Sequence, residues 1–325
     1  MLGRLLTGIL LLPWYIARLC FRILGRLLKS RLGRVCLLLL GVYFAARSCG
    51  APVLRVGTFN IQNFGPQTDF QRLIALLKET DADVLALQEI RDEDLLAQVA
   101  EGLSTVTARS YRTVVTKCGG KRALHLGFLY DSARVRLDKL QEFPELQQDS
   151  SGRCADGDRA GLLGTFSTGR LLWCTRTHLL TVHFPAGGDF QQAVVRQEFW
   201  ARALRIVTQL QQSGESRVLL LGDMNSTGYL NDTYQERSAI HARVEQAGFR
   251  LLTPQVGCTE YWQPPFGSTY VASHLDHIAA PAQLSALAAP VVHGFCATLQ
   301  CQPTQQRPAD YSRVSDHCPV TVTLR

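Results

Sequence analysis

From residue 53 onward the apolar positions follow two periods. Short runs that alternate, or are uniformly apolar, read as strands: Val53–Phe59, Asp83–Leu87, Tyr111–Thr116, Leu124–Tyr130, Val135–Leu140, Gly161–Phe166, Leu171–Pro185 and Val218–Leu221, with shorter ones at Leu275–Ala279 and Val320–Leu324. Segments whose apolar residues recur three and four apart read as helices. In Asp69–Thr80, Phe70, Leu73, Ile74 and Leu77 share one face; Arg91–Val99 follows, and Phe190–Gln212 is the longest. Gly119-Gly120 and Asp131-Ser132 mark turns, and the polar stretch Glu145–Asp158 predicts a surface loop. Strands and helices interleave through both halves, with hairpins between. That order predicts an α/β (α+β) layered domain with one core over residues 51–325 and no internal linker.

The pattern before residue 51 is different. Leu5–Ala17 is apolar, interrupted by Pro13. Arg18, Arg22 and Arg26 then recur every fourth residue, which puts cations on one helix face and Leu, Ile and Phe on the other, as in an interfacial amphipathic helix. Val35–Ala46 is a second apolar run, between Arg34 and Arg47. As a helix it would cover about 18 Å, short of the roughly 30 Å hydrocarbon core. That length suits the apolar region of a signal peptide; cleavage before Cys49 and a retained helical hairpin both fit. Residues 1–50 are expected to be a membrane-anchor or signal segment. Its positive charge would leave the catalytic domain exported or membrane-attached, outside the cytoplasm.

Composition changes this picture in two respects. The chain has 325 residues and a net charge of +7, but residues 1–50 hold eight basic residues and no acid. Residues 51–325 therefore carry 26 Lys and Arg against 27 Asp and Glu. The basic charge does not signal a nucleic-acid groove, and individual arginines have to be argued one at a time. Seven of the ten cysteines follow residue 51: Cys118, Cys154, Cys174, Cys258, Cys296, Cys301 and Cys318. No CxxC occurs, and Cys296 and Cys301 lack zinc-finger spacing. Disulfides in an oxidising compartment and buried thiols remain the two readings, with no pairing legible.

Candidate chemistry gathers at strand ends. Six stretches, at residues 57–65, 85–92, 180–187, 220–226, 273–278 and 314–320, place carboxylates, amides and histidines there. Such residues hold hard cations and move protons in phosphoester hydrolysis. Glu89 closes an apolar strand, where it would either cap the next helix or ligate a metal. Asn60 lies beside it if the first two strands are neighbours. Asp223 and Asn225 follow a buried strand and converge on a hydrated cation or an attacking water. His183 sits at the end of a strand, and His178, five residues earlier, faces the other side as a structural residue. Asp316 and His317 pair a metal ligand with a base near neutral pH, and Asp276 is the natural group to orient His317 through its other ring nitrogen. His274 and His277 read as surface or outer groups.

These residues together resemble the endonuclease/exonuclease/phosphatase superfamily over roughly residues 54–325. The resemblance is carried by FNI with Asn60, LQE with Glu89, GDMN with Asp223 and Asn225, and SDH with Asp316 and His317. Within it, TFNIQNFG, QEIRD with Arg91 and GDRAGLLGTF with Arg159 are similar to the deoxyribonuclease I branch. The resemblance implies a four-layer sandwich of two packed mixed β-sheets flanked by helices. It implies Mg²⁺-dependent phosphodiester hydrolysis, with Mn²⁺ or Ca²⁺ as alternatives. Glu89, Asn60 and Asp316 would serve the metal, and Asp223 and Asn225 would complete the water shell. His317, oriented by Asp276, would activate water, and His183 would meet the scissile phosphate. Arg91 and Arg159 would approach DNA. One departure stands out: that branch has a Tyr and a Glu just before the strand ending at Tyr130, and here Arg122 and Leu124 stand there. No carboxylate partner for His183 is supplied.

The favoured reading is a DNA endonuclease, acting as a monomer. A sphingomyelinase-like phospholipid phosphodiesterase or a phosphatase is the alternative, with Tyr261–Phe266 as its candidate aromatic hairpin. A non-catalytic binding module is disfavoured by the complete acid and base set.

Overall fold

A computed structural model describes residues 53–325 apart from 121, 147–159 and 170–174, and before them only Ser30, Val35 and Leu39. The anchor or signal segment expected over residues 1–50 lies almost wholly outside the described residues, as do Arg159 and most of the polar loop expected at Glu145–Asp158. Among the described residues no helix is long and apolar enough to cross a membrane.

The elements run β1 (Leu54–Phe64), α1 (Phe70–Thr80), β2 (Val84–Ile90), α2 (Glu93–Thr107), β3 (Tyr111–Val115), β4 (His125–Asp131), β5 (Val135–Phe143), β6 (Gly161–Thr168), β7 (Thr175–His183), α3 (Phe190–Gln212), β8 (Val218–Asp223), α4 (Glu236–Gln246), β9 (Phe249–Leu251), β10 (Glu260–Trp262), β11 (Val271–Ser273), β12 (Asp276–Pro281), β13 (Val291–Val292), α5 (Gly294–Thr298) and β14 (Val320–Leu324). Asp69, Asp92 and Asp189 start α1, α2 and α3 by accepting the backbone N–H three residues on. The second helix accordingly begins at Glu93 rather than Arg91, because Asp92 is its cap.

One sheet has the order β13-β14-β1-β2-β4-β3 and the other β5-β6-β7-β8-β12-β9, with β10 and β11 as a separate hairpin. The pairs β1·β2 and β7·β8 are parallel and the rest antiparallel, so both sheets are mixed. Val56, Ala86 and Phe128 of the first sheet bury against Leu162, Leu179 and Leu221 of the second. The outer face of the first sheet packs on α1 and α2 through Phe59, Leu87, Leu73 and Leu96, and that of the second on α3 and α4 through Leu180, Val182, Trp200 and Ile240. Helices, sheet, sheet, helices make the four layers expected.

Strand parity then aims the chemistry. Val56 of β1, Leu179 of β7, Leu221 of β8 and Ile278 of β12 all face the inter-sheet core. Counting by twos from each reaches Asn60, His183, Asp223 and Asp276, which are the inward positions at one rim. Between core and rim, Gln88 bonds Thr58 at 3.1 Å and Thr181 of the opposite sheet at 3.0 Å, a polar rung that ends the dry interior.

Two disulfides, Cys258–Cys301 and Cys296–Cys318, tie the region between β9 and β14 together, and Cys118 is also disulfide-bonded. The thiol reading is thereby corrected for these five cysteines.

Candidate active site

Register brings the strand ends together. His183 lies opposite Asp223 across the parallel pair β7·β8, and Asp276 lies opposite the same Asp223 across β8·β12. Gly222 makes the first approach possible: its φ is +144°, and a Cβ there would sit 2.0 Å from the Val182 carbonyl oxygen. Asn60 reaches across from the other sheet. Its Nδ2 donates to Asp223 Oδ2 at 2.9 Å and to Glu89 Oε1 at 3.3 Å. His317 enters from the segment before β14, with Nδ1 2.8 Å from Asp276 Oδ2 and Nε2 3.7 Å from Asp223 Oδ2. His183 Nε2 lies 3.2 Å from Asp223 Oδ2 and 3.7 Å from Glu89 Oε1. Its buried Nδ1 has no hydrogen-bond partner, in keeping with the missing carboxylate.

The loops complete the ring. Glu89 has φ +66°, and the register between β1 and β2 shifts beyond Asn60. Left-handed backbone at a glutamate costs about 1–3 kcal/mol and persists only where its surroundings hold it. Here Glu89 Oε2 accepts the Asn63 N–H at 2.9 Å. Glu89 does not cap α2, since Asp92 does. Asp316 Oδ2 accepts from Gln62 Nε2 at 2.7 Å. The Asn225 N–H donates to Asp223 Oδ1 and its side-chain Nδ2 to the Phe184 carbonyl, each at 2.9 Å. Ser315 Oγ donates to the Asn60 carbonyl and accepts the His317 N–H, which ties the last motif to the first.

Electrostatics follow from this crowding. Glu89, Asp223, Asp276 and Asp316 converge, and their ion-pair partners among the described residues are His183 and His317 alone. Burial alone would raise Asp223, but His183 and His317 outweigh it and hold its carboxyl well below the usual range. Burial likewise opposes charge on His317, yet Asp276 and Asp223 hold its proton well above the ordinary histidine value. Burial raises Asp316. Such a surplus of buried carboxylate asks for a cation, and hard oxygen donors fit a divalent one. Asp223, Asp276 and His317 each offer one ligand-capable atom within 4.8 Å of the others. Because His317 Nδ1 and Asp276 already face each other, the carboxylates of Glu89 and Asp316 fit a cation better, with Asn60, whose Oδ1 accepts the Gln62 N–H at 2.9 Å, positioning Glu89 through Nδ2.

Several placements were not legible beforehand. Gln62 and Asn63 hold Asp316 and Glu89, and Glu260 is buried beside His317, where desolvation pushes its carboxyl up to about 8. A lone Glu in a three-residue strand carries no sequence signal. His274 and His277 are not surface groups; both are buried on the helix side, and Ser226 Oγ lies 2.6 Å from His277 Nε2. His178 is structural as expected, 3.0 Å from Glu215. Arg91 stands exposed next to the ring, with Nη2 donating to Asn63 Oδ1 at 2.8 Å. Tyr261 is buried, so Trp262 and Phe266 are the exposed aromatic side chains of that stretch.

Residues 57–317 match the profile of the Endonuclease/Exonuclease/phosphatase family. The chain belongs to that family. It has the hydrolase fold of phosphoesterases, and solved structures agree. Truncated Caenorhabditis elegans TDP2 is 15% identical with a TM-score of 0.55, covering 84% of this chain and 97% of its own. D. rerio TDP2 complexed with a single-strand DNA product is 15% identical with a TM-score of 0.53, covering 85% of this chain and 100% of its own. An endonuclease/exonuclease/phosphatase family protein from Bacteroides thetaiotaomicron is 14% identical with a TM-score of 0.55, covering 84% and 95%. No curated protein matches the chain by sequence.

Proposed function

We propose that this protein hydrolyses phosphodiester bonds of DNA with a divalent cation, Mg²⁺ first, held by Glu89 and Asp316 with help from Asn60, which positions Glu89. The observation that carries the reading is the arrangement of two buried histidines on either side of Asp223, one of them locked by Asp276. His317 Nδ1 is fixed by Asp276, which leaves Nε2 as the nitrogen that takes a proton from water. His183 Nε2 faces the same space and serves as donor to the phosphate. Asp223 and Asn225 orient the water between them. When bound, the cation would draw charge from the phosphoryl oxygens and offset the carboxylates that hold a proton on His317.

DNA is favoured over other phosphoesters by two things: the fold shared with a protein seen bound to a single-strand DNA product, and Arg91, an exposed guanidinium at the rim. Arg159 would be its partner. Residues 1–50, basic and apolar, would attach the domain to a membrane or export it. Supercoiled plasmid incubated with the full chain and Mg²⁺ tests the reading. Nicked circles are expected, and none with EDTA. A folded, metal-loaded chain that nicks nothing moves the substrate to another phosphodiester or a phosphomonoester.

A further inference from the structure

Arg196 of α3 is 1% exposed and Glu236, which starts α4, 2%. Neither takes part in the chemistry described above, so a charged pair in the interior needs its own account. Joining α3 to α4 does not explain it, because apolar side chains of like volume would do that as well or better. The remaining donors of the guanidinium do what apolar side chains could not. Nε donates to Glu236 Oε1 at 2.6 Å and Nη2 to Oε2 at 3.1 Å, while Nη1 donates to the Gly187 carbonyl at 2.6 Å and Nη2 also to the Thr227 hydroxyl at 3.1 Å. Thr227 Oγ1 in turn donates to the Gly187 carbonyl at 3.2 Å. Glu236 Oε2 accepts the Gly228 N–H at 2.7 Å, and a Cβ at Gly228 would stand 2.8 Å from that oxygen.

Both tied segments lead to the site. Gly187 lies in the turn that leaves β7 four residues after His183. Thr227 follows Asn225 by two residues, and its N–H donates to the Asn225 carbonyl at 2.7 Å. Asn225 has a φ of +47°, and Asp232, Tyr234 and Gln235 of the same loop have +53°, +56° and +58°. Such left-handed backbone, costly at Tyr and Gln above all, persists only where the surroundings hold it. The Arg196–Glu236 pair grips this loop at both ends, at Thr227 and Gly228 and again at Glu236 itself.

We infer that Arg196 and Glu236 are positioning residues: they hold Asn225 in register with Asp223 and with the turn after His183, and so set the rate of the chemical step without acting on the cation. The inference rests on the phosphodiester reading above. Glu89 and Asp316, the carboxylates assigned to the cation, are held instead by Asn60, Asn63 and Gln62.

The test is a double-mutant cycle in the full chain with Mg²⁺, read as kcat on bis(4-nitrophenyl) phosphate and corrected for the folded fraction by thermal unfolding. Arg196→Lys keeps the charge but cannot span Glu236, Gly187 and Thr227 at once. It should lower kcat about 10-fold or more in the wild-type background, as a small misplacement of a reacting group does. Where Asn225 is already Ala, the further loss should be under about 3-fold, because the two residues act through one position. The Mg²⁺ concentration at half-maximal rate should stay within about 2-fold of wild type. Thr227→Val, nearly isosteric and exposed, should lose about 3-fold alone and under about 1.5-fold beside Asn225→Ala. It carries the test if Arg196→Lys does not fold. Equal losses with and without Asn225, no loss after correction for folding, or an Asn225→Ala chain within a few-fold of wild type would overturn the inference and leave the hydrolase reading intact. A folded, metal-loaded wild type that turns over neither this ester nor an oligonucleotide would sink the hydrolase reading, and the inference with it.

Discussion

His274 and His277 show how the site's surroundings are set residue by residue. Their rings stack at 4.8 Å, each lies within 5 Å of the Tyr229 ring, and Tyr229 in turn bonds His241 at 2.8 Å. His274 Nε2 and His277 Nδ1 are buried without partners. Burial pushes His274 down to about 4 and lowers His277, with His274 adding to the second shift. The unfolded chain, titrating near 6.5, then binds more protons than the native one below that pH. The contribution of His274 is complete above about pH 6.5 and is lost as the pH drops towards 4, by order 3 kcal/mol, while the raised carboxyl of Glu260 works in the opposite direction over the same range. Thermal unfolding of wild type and His274→Gln from pH 7 to 4.5 isolates the histidine contribution: the wild type should lose stability relative to the variant as the pH falls. An unchanged slope in that variant would contradict the assignment. At this scale the sequence was informative where a residue ends a patterned strand, as Asn60, Glu89, His183 and Asp223 do. It was silent for Gln62, Asn63 and Glu260, whose positions follow from backbone irregularity and from a hairpin too short to carry a period.

Among the elements, those with an apolar stripe or an Asp cap were readable, α1 and α3 nearly to the residue. The helix α4 was not. Only Ile240 and Val244 are its buried apolar residues, and a buried ion pair of Glu236 with Arg196 of α3, at 2.6 Å, anchors its start. Sequence periodicity does not report such a pair. The region between β9 and β14 also lacks long elements and relies on the Cys258–Cys301 and Cys296–Cys318 bridges. Cys318 adjoins His317, and Cys258 stands two residues before Glu260. Replacing Cys296 and Cys318 by Ala should lower unfolding stability by about 2–4 kcal/mol. It should lower activity by more than the unfolded fraction explains, because the loop holding His317 loosens. Denaturant titration beside a rate measurement checks this; full activity in a destabilised variant would separate the bridge from the site.

For the whole molecule, two mixed sheets face each other so that inward parity, continued past the dry core, becomes a catalytic rim. Sequence motifs located the rim residues, but only three-dimensional register places Asp223 between His183, Asp276 and His317. The proposed reaction has a division of labour: Glu89 and Asp316, with help from Asn60, would hold the cation, and His317 would move the proton. Initial rates of oligonucleotide hydrolysis for the full chain, His317→Ala and Glu89→Gln across a wide Mg²⁺ range test it in one measurement. The expected result is that His317→Ala is slower by about 10²–10⁴ at every Mg²⁺ concentration, while Glu89→Gln recovers part of its loss as Mg²⁺ rises. A His317→Ala chain within a few-fold of wild type, or a Glu89→Gln chain indifferent to Mg²⁺, would contradict it.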